Sequence, residues 1–319
     1  MDIVYFLVQQ TMFFTIPLMV VALGGMYSER SGVINIALEG IMIMGAFCSV
    51  LFISMTQDVL SGQWQLIIAV VIAMISGAAF SLLHAYASIN MKADQTISGT
   101  ALNLLAPALA VFMARMIQTS GVQQIQFTNT FRIDRVPGLG DIPVIGNLFF
   151  QNTYITTYLG VILLVVASIL LYRTKFGLRL RACGEHPQAV DAVGVSVYKM
   201  RYAGVAISGA LAGLGGLIFV VTTSTNFNAT VSGYGFLALA VLIFGQWKPY
   251  RIAGAALFFG LMKTISATYS SLPFLVGLPV TGYVYKMIPY IATLIVLIFS
   301  SKKSQAPKAE GIPYDHGAR

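Results

Sequence analysis

Long apolar runs follow one another along almost the whole of this chain. A helix that crosses the hydrocarbon core of a bilayer needs about 20 mainly apolar residues in a row. The runs therefore predict an all-α polytopic membrane protein. Composition agrees, because 57% of the 319 residues are hydrophobic and only 9% are charged, against about 25% charged in soluble domains. A soluble protein is excluded, since so few charges could not supply its polar surface.

The runs predict about nine membrane spans, or eight to ten if one run is re-entrant. They cover residues 3–26, 32–54, 65–90, 97–117, 154–172, 202–222, 230–246, 252–271 and 284–300. The first, MDIVYFLVQQTMFFTIPLMVVALGGM, lacks the basic start and small-residue cleavage site of a signal peptide, so we expect it to be retained. We therefore expect a transmembrane domain over residues 1–300.

Basic residues set the expected orientation of these spans. Loops rich in Lys and Arg face the cytoplasm, and the segment 173–201 has the strongest excess of cations. Its cations are Arg173, Lys175, Arg179, Arg181, Lys199 and Arg201, against Glu185 and Asp191. Counting outward from this loop places the N-terminus and residues 118–153 outside and the C-terminus in the cytoplasm. Such loops account for the net charge of +8, which does not indicate a nucleic-acid partner.

Two segments lie outside the predicted spans. The loop 118–153 contains RIDRVPGLGDIPVIGN and is long for a connection between spans, so it either docks an extracellular partner or packs on the bundle as a lid. The tail 301–319 is polar and contains Pro and Gly, and it is predicted to be disordered.

No pattern in the chain indicates catalysis. The stretch GLMKTIS at 260–266 lacks the glycine that precedes the lysine of a phosphate-binding loop. Cys48 lies in an apolar run and Cys183 in the basic loop, so neither a disulfide framework nor a metal site is indicated. We expect no catalytic residue, no metal and no cofactor here; ATP, if it is used, is bound by another chain.

The centre of the basic loop, RACGEHPQAVDAVGVSVYKMR, predicts a short helix. Pro187 suits the first helical turn and Gly194 suits the position just after a helix. The helix would have about seven residues and a length of about 10 Å, with Glu185 near its positive end. It is either a docking element for a cytosolic partner or an ordinary basic loop.

A carboxylate and an amide interrupt the second apolar run, RSGVINIALEGIMIMGAF. On a helix, Gly32, Asn35, Glu39, Met42 and Ala46 would form one stripe, turned away from lipid because a charge in hydrocarbon is costly. Three roles stay open for the stripe: lining of a solute conduit, packing between helices, or a proton site.

Further polar positions occur in other runs. NFNATVSGYGFLALAVLIFG contains Asn226 and Asn228 before a short apolar run, and paired interrupted segments point to a solute path in transporters. Asn103 is a further candidate, in the fourth run. Small residues in SGALAGLGG at 208–216 favour close helix contact, within the chain or with a second chain. His84, near the cytoplasmic end of its run, is expected to be an interfacial or snorkelled residue.

Four stretches together resemble one family. They resemble permease subunits of ABC importers, in the branched-chain amino acid, ribose and nucleoside branch. The stretches are RSGVINIALEGIMIMGAF, ADQTISGTALNLLAPAL, TKFGLRLRACGEHPQAVDAVGVSVYKMRYAGVAISGALAGLGG and ALAVLIFGQWKP. The resemblance implies a type II-like importer permease in a bacterial cell membrane. It implies that Glu185 to Gly194 form the coupling helix in a groove of a separate ATPase. The candidate docking residues are Arg179, Arg181, Glu185, His186, Pro187, Gln188, Ala189 and Gly194.

The start of the second apolar run also bears on the substrate. GVINIALEG resembles nucleoside and simple-sugar permeases more than the G-x-I-N-F-A-x-G-E of amino-acid permeases, and the tail ending EGIPYDHGAR points the same way. Nucleosides are the first choice, with ribose or other sugars and then branched-chain amino acids as alternatives. The family implies an extracellular binding lipoprotein and a second, related permease chain as partners. A proton-coupled secondary transporter, with Glu39 as carrier, is the rival of another class.

Overall fold

The computed structural model describes residues 2–60, 62–118, 121–128, 130–271, 281–300 and 305–317. Its helices are α1 (Asp2–Arg30), α2 (Leu38–Thr56), α3 (Gln63–Ala85), α4 (Gln95–Ile117), α5 (Ile155–Arg173), α6 (Lys175–Glu185), α7 (Pro187–Ala192), α8 (Val197–Thr223), α9 (Tyr234–Phe244), α10 (Pro249–Thr268) and α11 (Gly282–Ser300). A π-helical turn, Tyr86–Asn90, extends α3, and 3-10 turns lie at Leu139–Asp141 and Tyr269–Ser271. Four short strands are β1 (Ile125–Gln126), β2 (Arg132–Arg135), β3 (Gln151–Tyr154) and β4 (Asn226–Phe227).

Within the described ranges, seven helices are long and apolar enough to cross a membrane, namely α1 to α5, α8 and α10. This finding confirms a polytopic, mainly helical membrane protein. The predicted span 230–246 is instead the 11-residue helix α9, about 16 Å long, which is about half of the hydrocarbon thickness. Helix α11 has 19 residues. The count of nine spans stays a prediction.

The bundle has two ends, which we call the basic end and the loop end. At the basic end, the last turn of α1 meets α6 and the turn before α10: Arg30 Nη1 lies 3.9 Å from Glu185 Oε1, and Arg30 Nη2 donates to the carbonyl of Trp247 at 3.2 Å. At the loop end, Ser54 near the end of α2 donates to the carbonyl of Gln126 at 2.9 Å. Successive long helices therefore connect these two ends.

Helix α8 is the centre of the bundle and packs against α1, α2 and α3. Its glycines allow this packing, because a Cβ on Gly213 would lie 2.9 Å from Cα of Gly77 in α3. A Cβ on Gly216 would lie 2.8 Å from the carbonyl carbon of Met42 in α2. The small residues of SGALAGLGG therefore serve close contact within the chain.

The described residues of the loop 118–153 pack on the bundle at the loop end. Strand β1 pairs with β4, with Ile125 opposite Phe227, and β2 pairs with β3. The side chains of Ile125, Phe127 and Phe131 are buried. The described part of this loop is therefore a lid with short strands; whether it also docks a partner stays a prediction.

The C-terminal segment differs from the predicted disordered tail. Residues 305–317, which we call the strap, lie against the basic end, where Ala309 donates its backbone N–H to the carbonyl of Gly184 at 2.8 Å. Ala309 and Tyr314 are buried. The polar composition suggested disorder, but backbone hydrogen bonds and one buried aromatic ring hold this segment.

Candidate functional site

The segment 31–37 between α1 and α2 is not helical, so the predicted stripe is wrong in its first half. Helix α2 begins at Leu38, and Gly32 has a left-handed φ of +95°, which glycine adopts without steric cost. Gly32 and Asn35 therefore do not share a helix face with Ala46. The carboxylate of Glu39 lies in the first turn of α2 and not in the middle of a continuous helix.

Asn103 of α4 satisfies one backbone group just before the start of α2 and one just after it. Its side-chain nitrogen donates to the carbonyl of Ile36 at 2.9 Å, and its oxygen accepts from the N–H of Gly40 at 2.8 Å. An amide that has both a donor and an acceptor suits this position, since the free N–H groups at a helix start need partners. Asn103 thus holds the start of α2 against α4.

His84 of α3 and Gln95 of α4 hold the same segment from the basic side. Gln95 Oε1 accepts from the N–H of Ile34 at 2.7 Å, and His84 Nε2 lies 2.8 Å from the carbonyl of Ile34. Nδ1 of His84 lies 2.7 Å from Ser98 Oγ. His84 is fully buried within the chain, so it does not snorkel to solvent; its level in the membrane stays a prediction. Both ring nitrogens therefore have polar partners within the protein.

Glu39 binds the N-terminus of α9. Its Oε1 accepts from the backbone N–H of Gly233 at 2.9 Å, and its Oε2 accepts from that of Gly235 at 2.6 Å. A carboxylate is favoured there, because a helix N-terminus carries free N–H groups and partial positive charge. Glu39 is buried, and α9 extends about 16 Å from this contact toward the basic end, so the carboxylate lies inside the bundle.

The other pathway candidates are separated from Glu39. Asn35 is buried, and its side-chain nitrogen donates to Ser208 Oγ of α8 at 2.9 Å. Asn226 lies in β4 at the loop end, and Asn228 follows it; both are exposed. No hydrogen bond between described residues joins these two asparagines to Asn35 or Glu39. Asn35, Glu39 and Asn103 therefore hold the break between α1 and α2 together, while the conduit role of all five candidates stays a prediction.

The predicted short helix in the basic loop is present as α7, Pro187–Ala192. Pro187 occupies its first turn, and Gly194 follows it with a φ of +79°. A six-residue helix is too short to be stable by itself. Its stability therefore comes from packing, with Val190 buried beside Cys183 and Val197.

The candidate docking residues lie on and beside α7. Arg179, His186, Gln188, Ala189 and Gly194 are exposed, whereas Pro187 is buried. The guanidinium of Arg181 lies 4.9 Å from the ring centroid of Tyr172, and Glu185 pairs with Arg30. The structure therefore presents one face of α7 to solvent, and the docking role stays a prediction.

The strap fastens α7 to the rest of the basic end. Tyr314 packs in the cluster that contains Val190, and His316 Nδ1 lies 2.7 Å from Asp191 Oδ2. The N–H of Gly311 donates to the carbonyl of Gly32 at 3.1 Å, and Arg201 Nη1 donates to the carbonyl of Ile312 at 3.0 Å. The strap thus contacts both α7 and the break before α2.

The surroundings of two further strap residues shift the pKa values of their carboxyl groups. Asp315 lies 3.2 Å from Lys92 Nζ, and a backbone hydrogen bond from Gly317, with Lys92 next, lowers the pKa of Asp315. Burial raises the pKa of Glu310, which Glu29 and Arg30 lower in part. Glu310 therefore favours its neutral form more than an exposed glutamate does.

Several residues of this region were not anticipated as site residues. Arg201, His84, Ser208 and Tyr314 make buried or long-range contacts that no local spacing marks. Glu29, a carboxylate in the short polar segment between the first two apolar runs, was missed as well; its Oε2 accepts from the indole N–H of Trp247 at 2.5 Å.

Comparison with known proteins identifies the family. The model of the family described as the permease component of the branched-chain amino acid transport system matches residues 7–297. The chain belongs to this permease family. The permease is 46% identical over 325 residues to the guanosine ABC transporter permease protein NupQ of Bacillus subtilis (strain 168), and the alignment covers 100% of both chains.

Two other relatives are named for nucleosides and for glucose. The permease is 40% identical to the nucleoside ABC transporter permease protein NupC of Lactococcus lactis subsp. cremoris, over 97% of this chain and 96% of the relative. It is 31% identical to the putative glucose ABC transporter permease protein TsgC13 of Haloferax volcanii, over 91% of this chain and 89% of the relative. No solved structure matches the permease.

Proposed function

We propose that this chain is the membrane-spanning permease subunit of an ATP-driven ABC importer for nucleosides. The observation that carries the proposal is full-length similarity, at 46% and 40% identity, to permeases named for guanosine and nucleosides. The sequence GVINIALEG at the start of the second apolar run supports the same substrate class. The chain forms the translocation pathway, and a separate subunit binds and hydrolyses ATP.

The proposed topology has nine spans, with the N-terminus outside and the basic end in the cytoplasm of a bacterial cell. The cations of 173–201 support this orientation, because cytoplasmic loops carry an excess of Lys and Arg. The lid then faces the outside, where an extracellular binding lipoprotein delivers the nucleoside.

In the proposed mechanism, α7 is the coupling helix. Its exposed face, with Arg179 and Arg181 beside it, docks on the ATPase. ATP binding closes two ATPase subunits and moves α7, and the spans then rearrange to give alternating access. The strap supports this role, because it links Asp191 of α7 to Gly32 at the break before α2.

The proposed solute path runs past the two interrupted segments. The break at 31–37 and the non-helical stretch before α9 meet through Glu39 and Gly233, and paired interrupted helices line the substrate site in other transporters. Asn35, Glu39 and Asn103 shape this region, and Asn226 and Asn228 belong to its outer side. A second permease chain, related but different, completes the pathway.

A sugar importer is the second candidate function. The observation that favours it is the 31% identity to a permease named for glucose. Nucleosides and sugars both present sugar hydroxyl groups, so polar side chains along a pathway are compatible with either class.

Substrate competition tests the proposal. Cells that lack their own nucleoside uptake would express this chain with the ATPase, second permease and lipoprotein from its genome, and take up labelled guanosine. We expect unlabelled nucleosides to compete and ribose, glucose and leucine not to. Uptake of labelled ribose or glucose, but not of labelled guanosine, by the same cells would favour the sugar importer. Guanosine uptake that does not require this chain would refute the proposal.

A further inference from the structure

A cleft of about 580 Å³ opens at the basic end between the last turn of α5 and the first turn of α10. Three cations line it: Arg173 from α5, and Lys248 and Arg251 from the start of α10. Two tyrosines, Tyr172 and Tyr250, stand beside them. Tyrosine is enriched where a membrane protein crosses from hydrocarbon to water, so the cleft lies at the level of lipid headgroups.

The three cations have no acidic partner within the described ranges. The ion pairs found there involve other cations, namely Arg30, Lys92, Arg135 and His316. No Asp or Glu lines the cleft. Neighbouring like charges without a counter-charge destabilise each other. The cleft is therefore suited to an anion that the protein does not itself provide.

Neutral donors in the cleft favour an anion as well. Helix α10 has no side-chain cap, and the backbone N–H groups of Tyr250 and Arg251 have no acceptor among the described residues. The hydroxyl of Ser168, a residue only 7% exposed, also lines the cleft and has no described hydrogen-bond partner. Free N–H groups at a helix N-terminus are suitable donors to a phosphate oxygen.

An apolar surface continues from the cleft toward the middle of the bundle. Along α5, Ile169, Val165 and Ile162 follow at successive turns, and each is about half exposed. Leu257 of α10 is exposed to a similar degree. A soluble phosphate or an acidic protein surface would leave this apolar strip unused, whereas the acyl chain of a lipid would cover it.

We propose that this cleft binds the headgroup phosphate of an anionic phospholipid, with one acyl chain along the exposed strip of α5. Basic pockets between membrane helices bind acidic lipid headgroups in this way. The site is independent of the transported solute, so its test does not rest on nucleoside import.

The test measures lipid retention by native mass spectrometry of the purified full-length chain, after equilibration with phosphatidylglycerol or with phosphatidylcholine. We expect the wild type to retain phosphatidylglycerol preferentially. Replacing Arg173, Lys248 and Arg251 by Gln should reduce that preference roughly 100-fold, at about fivefold for each cation near an anionic surface. The matched control replaces Arg179, Lys199 and Lys308, exposed cations elsewhere in the basic loop and the strap, by Gln and should leave the preference unchanged.

Each other result overturns the proposal. Equal retention of both lipids by the wild type excludes a charge-selective site. If the control variant loses its preference for phosphatidylglycerol as much as the cleft variant does, the preference depends on the overall charge and not on this cleft. Displacement of phosphatidylglycerol by inorganic phosphate indicates a site for soluble anions. Loss of ATPase binding by the triple variant with unchanged lipid retention would assign the cleft to the ATPase. If the triple variant does not fold, Arg251→Gln alone should still lose about fivefold, and an unchanged preference refutes the site.

Discussion

Replacement of Glu39 by Gln tests how the break before α2 is held to α9. The carboxylate accepts two backbone N–H groups, from Gly233 at 2.9 Å and Gly235 at 2.6 Å. The amide of Gln has one accepting oxygen, so one of these N–H groups would face a donor. Loss of one charge-assisted hydrogen bond costs about 1.5–3 kcal/mol, and loss of an anion at a helix N-terminus adds about 0.3–1 kcal/mol. We expect Glu39→Gln to lower the free energy of unfolding by about 2–4 kcal/mol.

The assay is unfolding of the purified chain in mixed micelles by titration with SDS, followed by circular dichroism. Glu185→Gln is the matched control, because the Glu185 side chain is 41% exposed and lies 3.9 Å from Arg30, an ion pair worth at most about 1 kcal/mol. The reasoning is refuted if Glu39→Gln loses no more stability than Glu185→Gln. If Glu39 were instead a proton carrier, Glu39→Gln would keep the stability of the wild type and lose transport.

Three further variants test other contacts. Gly213→Val should lower the free energy of unfolding by about 1–3 kcal/mol, because the added side chain would overpack against α3. The control Gly254→Ala has open space at its Cβ and should leave the free energy of unfolding unchanged. Equal effects of the two variants in SDS titrations would contradict the close helix contact. Tyr314→Ala should release the strap and increase its cleavage by protease at least about tenfold, by local unfolding, while Lys308→Ala should not; an unchanged cleavage rate would contradict the packing of the strap. Burial raises the pKa of Glu310, so the wild type loses stability as the pH rises above the usual glutamate pKa of about 4.3. Glu310→Gln lacks this carboxyl group, and its thermal stability relative to wild type should therefore increase from pH 4.5 to pH 8. A stability difference that is the same at both pH values would contradict this burial.

The long helices could be predicted from the sequence because span length and apolar composition are local properties. The helix α7 was predictable for a similar reason, since Pro187 and Gly194 mark its two ends by their own backbone preferences. The coarse fold and the short helix of the basic loop therefore follow from nearby residues.

Contacts between distant residues could not be predicted in this way. Glu39 and Gly233 are 194 positions apart, and no spacing on α2 reveals that a helix N-terminus lies beside the carboxylate. The break at 31–37 has one local sign, Gly32, but the partners that stabilise it come from α3, α4 and α8. The strap is held by Gly184 and Gly32, so its polar composition alone suggested disorder.

The central claim is that ATP hydrolysis by a partner drives nucleoside import through this chain. The most direct measurement is uptake of labelled guanosine into vesicles that contain this chain, the second permease, the ATPase and the binding lipoprotein, supplied with either ATP or a proton gradient. We predict accumulation with ATP on the ATPase side, and none with the gradient alone. Accumulation driven by the gradient in vesicles without the ATPase would contradict the account.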